Sequence, residues 1–206
     1  MPFISFEGID GCGKTTQAEI LCDKLNSKSI LFEYIREPGG TAISEDIRNI
    51  LLDPENEIMS NTTETLLFLA ARSQIVCEKI KPALKQNKWV ICDRFTDSTI
   101  AYQGYGRKLD VNKLHDLNKY TTQSTFPDVT FFLDISETDA VHRLINSEKD
   151  RFEKEDIEFY SRVRYGYLEI LKKHSERIHI INGLDSVDII SQTIWDTIKN
   201  FGYLDL

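Results

Sequence analysis

Two stretches of the chain carry residue types whose spacing can do chemistry on phosphates. The first is FEGIDGCGKTTQ, residues 6–17, in which Gly8 through Thr15 fits G-x-x-x-x-G-K-[ST] at every fixed position. Glycines so placed let the backbone bend until successive N–H groups point inward at phosphate oxygens. A helix beginning near Lys14 adds the positive end of its dipole. Lys14 would neutralise the outer phosphates of a nucleoside triphosphate, and the Thr15 hydroxyl could ligand Mg²⁺. The second stretch is WVICDR, residues 89–94, an apolar run that ends in Asp93 and is followed at once by Arg94. In open α/β sheets ligands bind at the carboxyl ends of the strands, where Asp93 would sit as a second metal ligand beside Thr15.

A phosphate loop alone fits a kinase, a GTPase, a motor or a nucleotide-dependent switch. No guanine signal of the NKxD kind lies between the strands, and 206 residues is short for a motor. A small-molecule kinase needs a second anion site, and Arg36, Arg48, Arg72, Arg94 and Arg107 are the candidate cations. Arg72 follows Phe68 by four residues in FLAAR, so the two share a helix face. An aromatic ring beside a guanidinium can stack on a base and bond its edge. Asp10 is the odd residue of the loop, because a carboxylate pointing into a nest of N–H donors would repel phosphate.

The elements that must position these groups follow from apolar periodicity. Five short apolar runs (FISF, ILFEYI, WVICD, VTFFLDI and IHIIN) alternate with helical patterns. The helices are expected over 15–26, 42–52, 63–86, 111–121, 137–146, 156–174 and 187–200. Strands separated by helices predict βαβ units and a mainly parallel sheet. No repeat or Pro/Gly/Ser-rich linker divides residues 1–206, which predicts a single domain. The polar stretch NSEKDRFEKED, residues 146–156, is the place for a mobile lid, taken as about 143–155. The net charge of −8 argues against non-specific nucleic-acid or membrane binding. Cys12, Cys22, Cys77 and Cys92 form neither C-x-x-C nor zinc spacing, as in a reduced cytoplasmic protein. The N-terminal run lacks a secretory n-region, and no apolar run reaches membrane-spanning length.

Taken in order, FEGIDGCGKTTQ, REPGGT with Arg48 downstream, FLAAR, DRF with STIAYQGYGR, and PDVTFFLD make the chain resemble bacterial thymidylate kinases. The likeness runs from Phe3 to about Leu171, and several of these motifs are specific to that family among the nucleoside monophosphate kinases. The resemblance implies an α/β P-loop fold in three layers, with a five-stranded parallel sheet flanked by helices. It implies Mg·ATP as donor, dTMP as acceptor, dTDP as product and a homodimer. Carried over by position, Gly8, Ile9, Asp10, Gly11, Cys12, Gly13, Lys14, Thr15 and Thr16 would bind ATP. Phe68 would stack on thymine, Arg72 would bond the base edge and Pro38 would line the pocket. Arg48 and Arg94 would clamp the acceptor phosphate, Ser98 and Gln103 would contact the base or its surroundings, and Tyr102 would crowd the 2′ position. Asp10 would face the acceptor's deoxyribose and accept a hydrogen bond from its 3′-hydroxyl.

Two departures from the family pattern stand out. Some members place an arginine in the phosphate loop where this chain has Gly11. The missing cation is then sought in Arg143, Lys149 or Arg151, of which Arg151 is expected to swing over the phosphates; the stretch also holds Glu148, Asp150, Glu153 and Glu155. With Lys14, Arg94 and Asp10, Arg151 completes the expected catalytic set. The second departure is Cys12. A helix N-terminus lowers a thiol pKa, so Cys12 is either oxidant-sensitive and shielded by ATP, or buried and inert.

Overall fold

In the computed structural model, which describes residues 1–144, 151–152 and 155–204, five strands form one parallel sheet. They are β1 (Phe3–Glu7), β2 (Phe32–Arg36), β3 (Trp89–Asp93), β4 (Val129–Asp134) and β5 (Ile178–Asn182), in the order β2-β3-β1-β4-β5. The central strands β1 and β3 are buried along their whole length, which is why they read as unbroken apolar runs. The edge strands β2 and β5 mix buried and exposed positions. Register pairs Phe6 with Asp93, so the loop after β1 and the acid ending β3 leave the sheet side by side.

Helices cover both faces. They are α1 (Lys14–Ser27), α2 (Ala42–Leu52), α3 (Asn61–Ile75), α4 (Lys81–Lys85), α5 (Thr96–Thr99), α6 (Val111–Thr121), α7 (Glu137–Leu144), α8 (Ile157–Lys173) and α9 (Val187–Asn200). One core cluster packs Ile4, Phe6, Phe131 and Leu133 against α1, α8 and α9. The other packs Phe3, Val90 and Cys92 against Ile75, Val76 and Ile80. Helices α2, α6 and α9 have the bounds expected from sequence. Each starts behind a side-chain cap: Thr41 accepts from Ser44 N, Asp110 from Asn112 N and Ser186 from Ile189 N.

One expectation is corrected, and one stretch carried none. The long helix over 63–86 is α3 and α4 joined by a π-helical turn, Val76–Ile80. Residues 96–106, which carry no clear helical period, form α5 and a π-helical segment, Ile100–Gly106. Its two glycines and β-branched neighbours hide it from a propensity reading, yet the wide turn presents Tyr102 and Gln103 from one short segment. The end of the helix expected over 137–146 lies outside the described residues.

Candidate active site

The loop between β1 and α1 takes its shape from glycines with left-handed backbone. Gly8 has φ +144°, and a Cβ there would meet Leu133 O at 2.5 Å and Cys12 Sγ at 2.7 Å. Gly13, at φ +96°, turns the chain into α1. Lys14 is buried and folds back over the loop, its Nζ donating to Ile9 O at 2.9 Å. Thr15 Oγ1 donates to Asp93 Oδ2, so the two expected metal ligands touch. Gly11, Gly13, Lys14, Thr15, Thr16 and Asp93 line one cavity. Gly8, Ile9 and Cys12, also expected to bind the donor, do not line this cavity, and the side chains of Ile9 and Cys12 are buried.

No group of three or more His, Cys, Asp or Glu suited to a metal occurs among the described residues. Mg²⁺ needs no such group, since it keeps waters and binds through one or two protein oxygens plus phosphates. The Thr15–Asp93 pair beside the phosphate loop fits that donor set.

A second cavity adjoins the first. All nine residues expected around the acceptor line it: Asp10, Pro38, Arg48, Phe68, Arg72, Arg94, Ser98, Tyr102 and Gln103. Asp10, Glu37, Arg48 and Arg94 border both cavities. Arg94 stands at the junction with a left-handed backbone, φ +69°. Its Nη2 donates to Asp10 Oδ1 at 2.6 Å and to the Tyr102 hydroxyl at 3.0 Å, and its Nη1 donates to Gly8 O at 2.8 Å. Tyr102 also donates to Asp10 Oδ2 at 3.0 Å. Burial works to raise the Asp10 pKa, but Arg94 and then Lys14 overcome it and hold the carboxyl down at about 2. Asp10 is therefore ionised at the border of the two cavities.

Several side chains do not do what the sequence suggests. Arg72 lines the acceptor cavity, but its five N–H donors are all engaged: Nε and Nη2 with Glu37 Oε2, Nη2 also with Phe95 O, and Nη1 with Thr99 Oγ1 and Asn118 Oδ1. It has no donor left for a base edge. Ser98 is buried with its hydroxyl donating to Glu7. Arg107 is drawn to Glu64 and Glu155 instead of to an anion site.

The largest correction concerns the lid cation. Arg151 is buried, with Nε donating to Leu51 O at 2.8 Å and Nη1 2.7 Å from Glu64 Oε2. Glu64 on α3 is a buried carboxylate that needs counter-charge, and the last carbonyls of α2 attract a cation. Those two demands hold Arg151 away from the phosphate loop. Of the two candidates among the described residues, Arg143, on the last turn of α7, is the one that reaches it: Nη1 donates to Gly11 O at 3.1 Å, Nη2 to Gly183 O at 3.0 Å, and the side chain lines the loop cavity. Lys149, Glu148, Asp150 and Glu153 lie outside the described residues. Cys12 takes the buried alternative. Its side chain is 1% exposed, and burial pushes the thiol pKa up despite Lys14 nearby.

Sequence reasoning missed Glu7, Glu37, Phe152 and Tyr167. Glu37 borders both cavities, and its only signal was its place inside REPGGT. Phe152 walls the acceptor cavity with its ring centroid 5.6 Å from that of Phe68.

A family model described as thymidylate kinase matches residues 6–194 of the chain. A thymidylate kinase from Caldanaerobacter subterraneus subsp. tengcongensis is 44% identical over 199 residues, which cover 97% of this chain and 95% of that protein. One from Kosmotoga olearia is 47% identical over 193 residues, covering 93% and 92%. The crystal structure of thymidylate kinase from Ehrlichia chaffeensis aligns with a TM-score of 0.79 at 37% identity, covering 96% of this chain and 98% of the other.

Proposed function

The chain belongs to the thymidylate kinase family, and from that premise we propose how its own residues divide the work. It transfers the γ-phosphoryl group of ATP to dTMP, giving dTDP and ADP. The observation that carries the assignment is the sharing of Asp10, Glu37, Arg48 and Arg94 between the loop cavity and the acceptor cavity.

The acceptor's nucleophile is a phosphate oxygen that is already anionic near neutral pH, so no strong general base is required. The task is to bring two anions into line and neutralise charge on the moving group. The loop N–H groups and Lys14 hold the donor phosphates. Arg94 and Arg48 hold the acceptor phosphate on the other side of the junction, and Arg94 Nε, with no acceptor among the described residues, faces this task. Arg143 supplies the cation that Gly11 leaves out. Thr15 and Asp93 would hold Mg²⁺, which supplies charge neutralisation at the donor phosphates. Phe68, Phe152, Pro38 and Gln103 surround the base, with Arg72 as the pillar behind them. Tyr102 stands against the sugar, and Asp10 accepts from its 3′-hydroxyl while aligning Arg94.

The chain acts as one domain over residues 1–206; most of the lid expected near 143–155 lies outside the described residues. It works as a homodimer, supported by the exposed apolar residues Ile43 and Ile50 on α2 and Leu66 on α3. It is cytoplasmic, supported by cysteines that form no disulfide. None of the described helices is long and apolar enough to cross a membrane.

The test is ADP release with Mg·ATP against dTMP, dUMP, dCMP, AMP and thymidine. The expected result is turnover highest with dTMP. Faster turnover with another acceptor, or release that ignores the acceptor, would refute the assignment.

A further inference from the structure

Glu7 ends β1 and is wholly buried, one residue before the phosphate loop. Its Oε1 accepts from Phe95 N at 2.8 Å. Its Oε2 accepts from the hydroxyls of Ser98 and Tyr167, the latter at 2.9 Å. On their far side both hydroxyl oxygens lie 3.3 Å from Arg94 Nη1. Arginine can only donate, and each hydroxyl has a single proton. The two hydroxyls also lie 2.9 Å from each other, and Nη1 donates to Gly8 O at 2.8 Å as well. For both oxygens to accept from Arg94 at once, neither proton can point at it, and Glu7 Oε2 is the acceptor within reach of both.

We propose that Glu7 is a positioning residue for acceptor binding: its carboxylate takes the hydroxyl protons of Ser98 and Tyr167, so that their oxygens face and fix the guanidinium of Arg94. The same carboxylate fixes the backbone after Arg94 through Phe95 N, where the chain leaves a left-handed residue whose own N–H donates to Phe6 O at 2.9 Å. Glu7 thus grips Arg94 by both its main chain and its side chain without touching a substrate. A neutral amide in its place would present N–H to one or both hydroxyls, turn their protons toward Arg94 and set donor against donor. The other charged groups around Glu7 leave this role to it. Asp97 on α5 is held by Arg177 at 2.7 and 2.8 Å, and Asp10 lies across Arg94 at the cavity junction.

This inference rests on the reading of Arg94 as the acceptor-phosphate clamp. The test therefore compares ligands with and without that phosphate, by calorimetric titration of dTMP, thymidine and ATP at pH 8, where the Glu7 carboxyl is ionised. Glu7→Gln is expected to weaken dTMP roughly tenfold or more, the scale of a lost hydrogen bond to a charged group. Thymidine and ATP should stay within about twofold. Equal weakening of dTMP and thymidine, or no weakening of either, would overturn the proposal, since a merely structural role cannot tell the two apart. Arg94→Ala is run beside it: if that variant shows no selective loss of dTMP, the clamp reading itself fails, whatever Glu7 does. Should Glu7→Gln not fold, Tyr167→Phe keeps the ring and removes one of the two relays. A smaller but still phosphate-selective loss supports the proposal, and a loss shared by thymidine contradicts it. With both variants folded, Tyr167→Phe should add little in the Glu7→Gln background, and a fully additive loss would contradict a shared relay.

Discussion

Arg72 and Glu37 form an ion pair of 2.7 Å at the back of the acceptor cavity, with side chains only 2% and 4% exposed. Burial raises the Glu37 pKa and Arg72 opposes it. Removing one partner of a buried pair leaves the other charge uncompensated, at a cost of about 3–5 kcal/mol. Arg72→Ala should therefore lower the melting temperature by on the order of 10 °C for a chain of this size. Phe68→Ala should instead raise the dTMP KM by about 10- to 100-fold, the scale of one lost base–aromatic stack, with the ATP KM unchanged. Thermal melting and steady-state kinetics on both variants check this. An Arg72→Ala protein as stable as wild type would remove the pillar role.

Arg143 holds Gly11 O and Gly183 O, whereas Arg151 holds Leu51 O and Glu64. Arg143→Ala should lower kcat by roughly 10²-fold or more, as for other preorganised charge donors, with the dTMP KM changed only a few-fold. Arg151→Ala should show mainly as lost stability. Single-turnover rates separate the two, and the opposite pattern would return the catalytic cation to Arg151.

These two arginines show where the sequence stops being legible. The phosphate loop is contiguous, so its residue types alone state its geometry, and capped helices such as α2, α6 and α9 announce their own ends. The acceptor cavity could be read because its motifs are recognisable, although they lie on separate elements. Which cation reaches the loop depends on how the chain returns after α7 and on the buried Glu64 that captures Arg151, and spacing contains neither. Glu7 was hidden for a related reason. At the end of an apolar strand it looks like a boundary residue, and only the packing of α5 and α8 brings Ser98 and Tyr167 onto it.

Cys77 is exposed, while Cys12, Cys22 and Cys92 are buried with raised thiol pKa values. Alkylation of the native protein at neutral pH should label Cys77 alone, and saturating Mg·ATP should not change the extent. Peptide mass mapping reads the sites. Rapid labelling of Cys12 that ATP suppresses would restore it as a reactive thiol.

Burial, and next the Asp97 carboxylate, push the Glu7 carboxyl up to about 7, while Ser98, Arg94 and Phe95 N pull it down. With the folded pKa above the reference value of 4.5, the folded chain binds more protons than the unfolded one between those values. This group's contribution to stability therefore falls as pH rises through that window. The melting temperature of wild type relative to Glu7→Gln should decline from pH 5 to pH 8. A difference that stays constant across that range would show that Glu7 does not titrate there.

Asp10 is ionised throughout this range and borders the junction of the two cavities. Asp10→Asn should weaken dTMP more than it weakens 3′-deoxythymidine monophosphate, with ATP binding retained. Titration of both acceptors checks this, and equal losses would remove the 3′-hydroxyl contact.

Phosphoryl transfer at the junction of the two cavities is tested most directly by following ADP and dTDP together, with Mg·ATP and dTMP, in wild type and Arg94→Ala. The expected result is one dTDP per ADP in wild type and a loss of kcat/KM for dTMP on the order of 10³ in the variant, as for removal of an arginine that meets transferring phosphate. ADP formed without dTDP, or an Arg94→Ala enzyme as active as wild type, would contradict it.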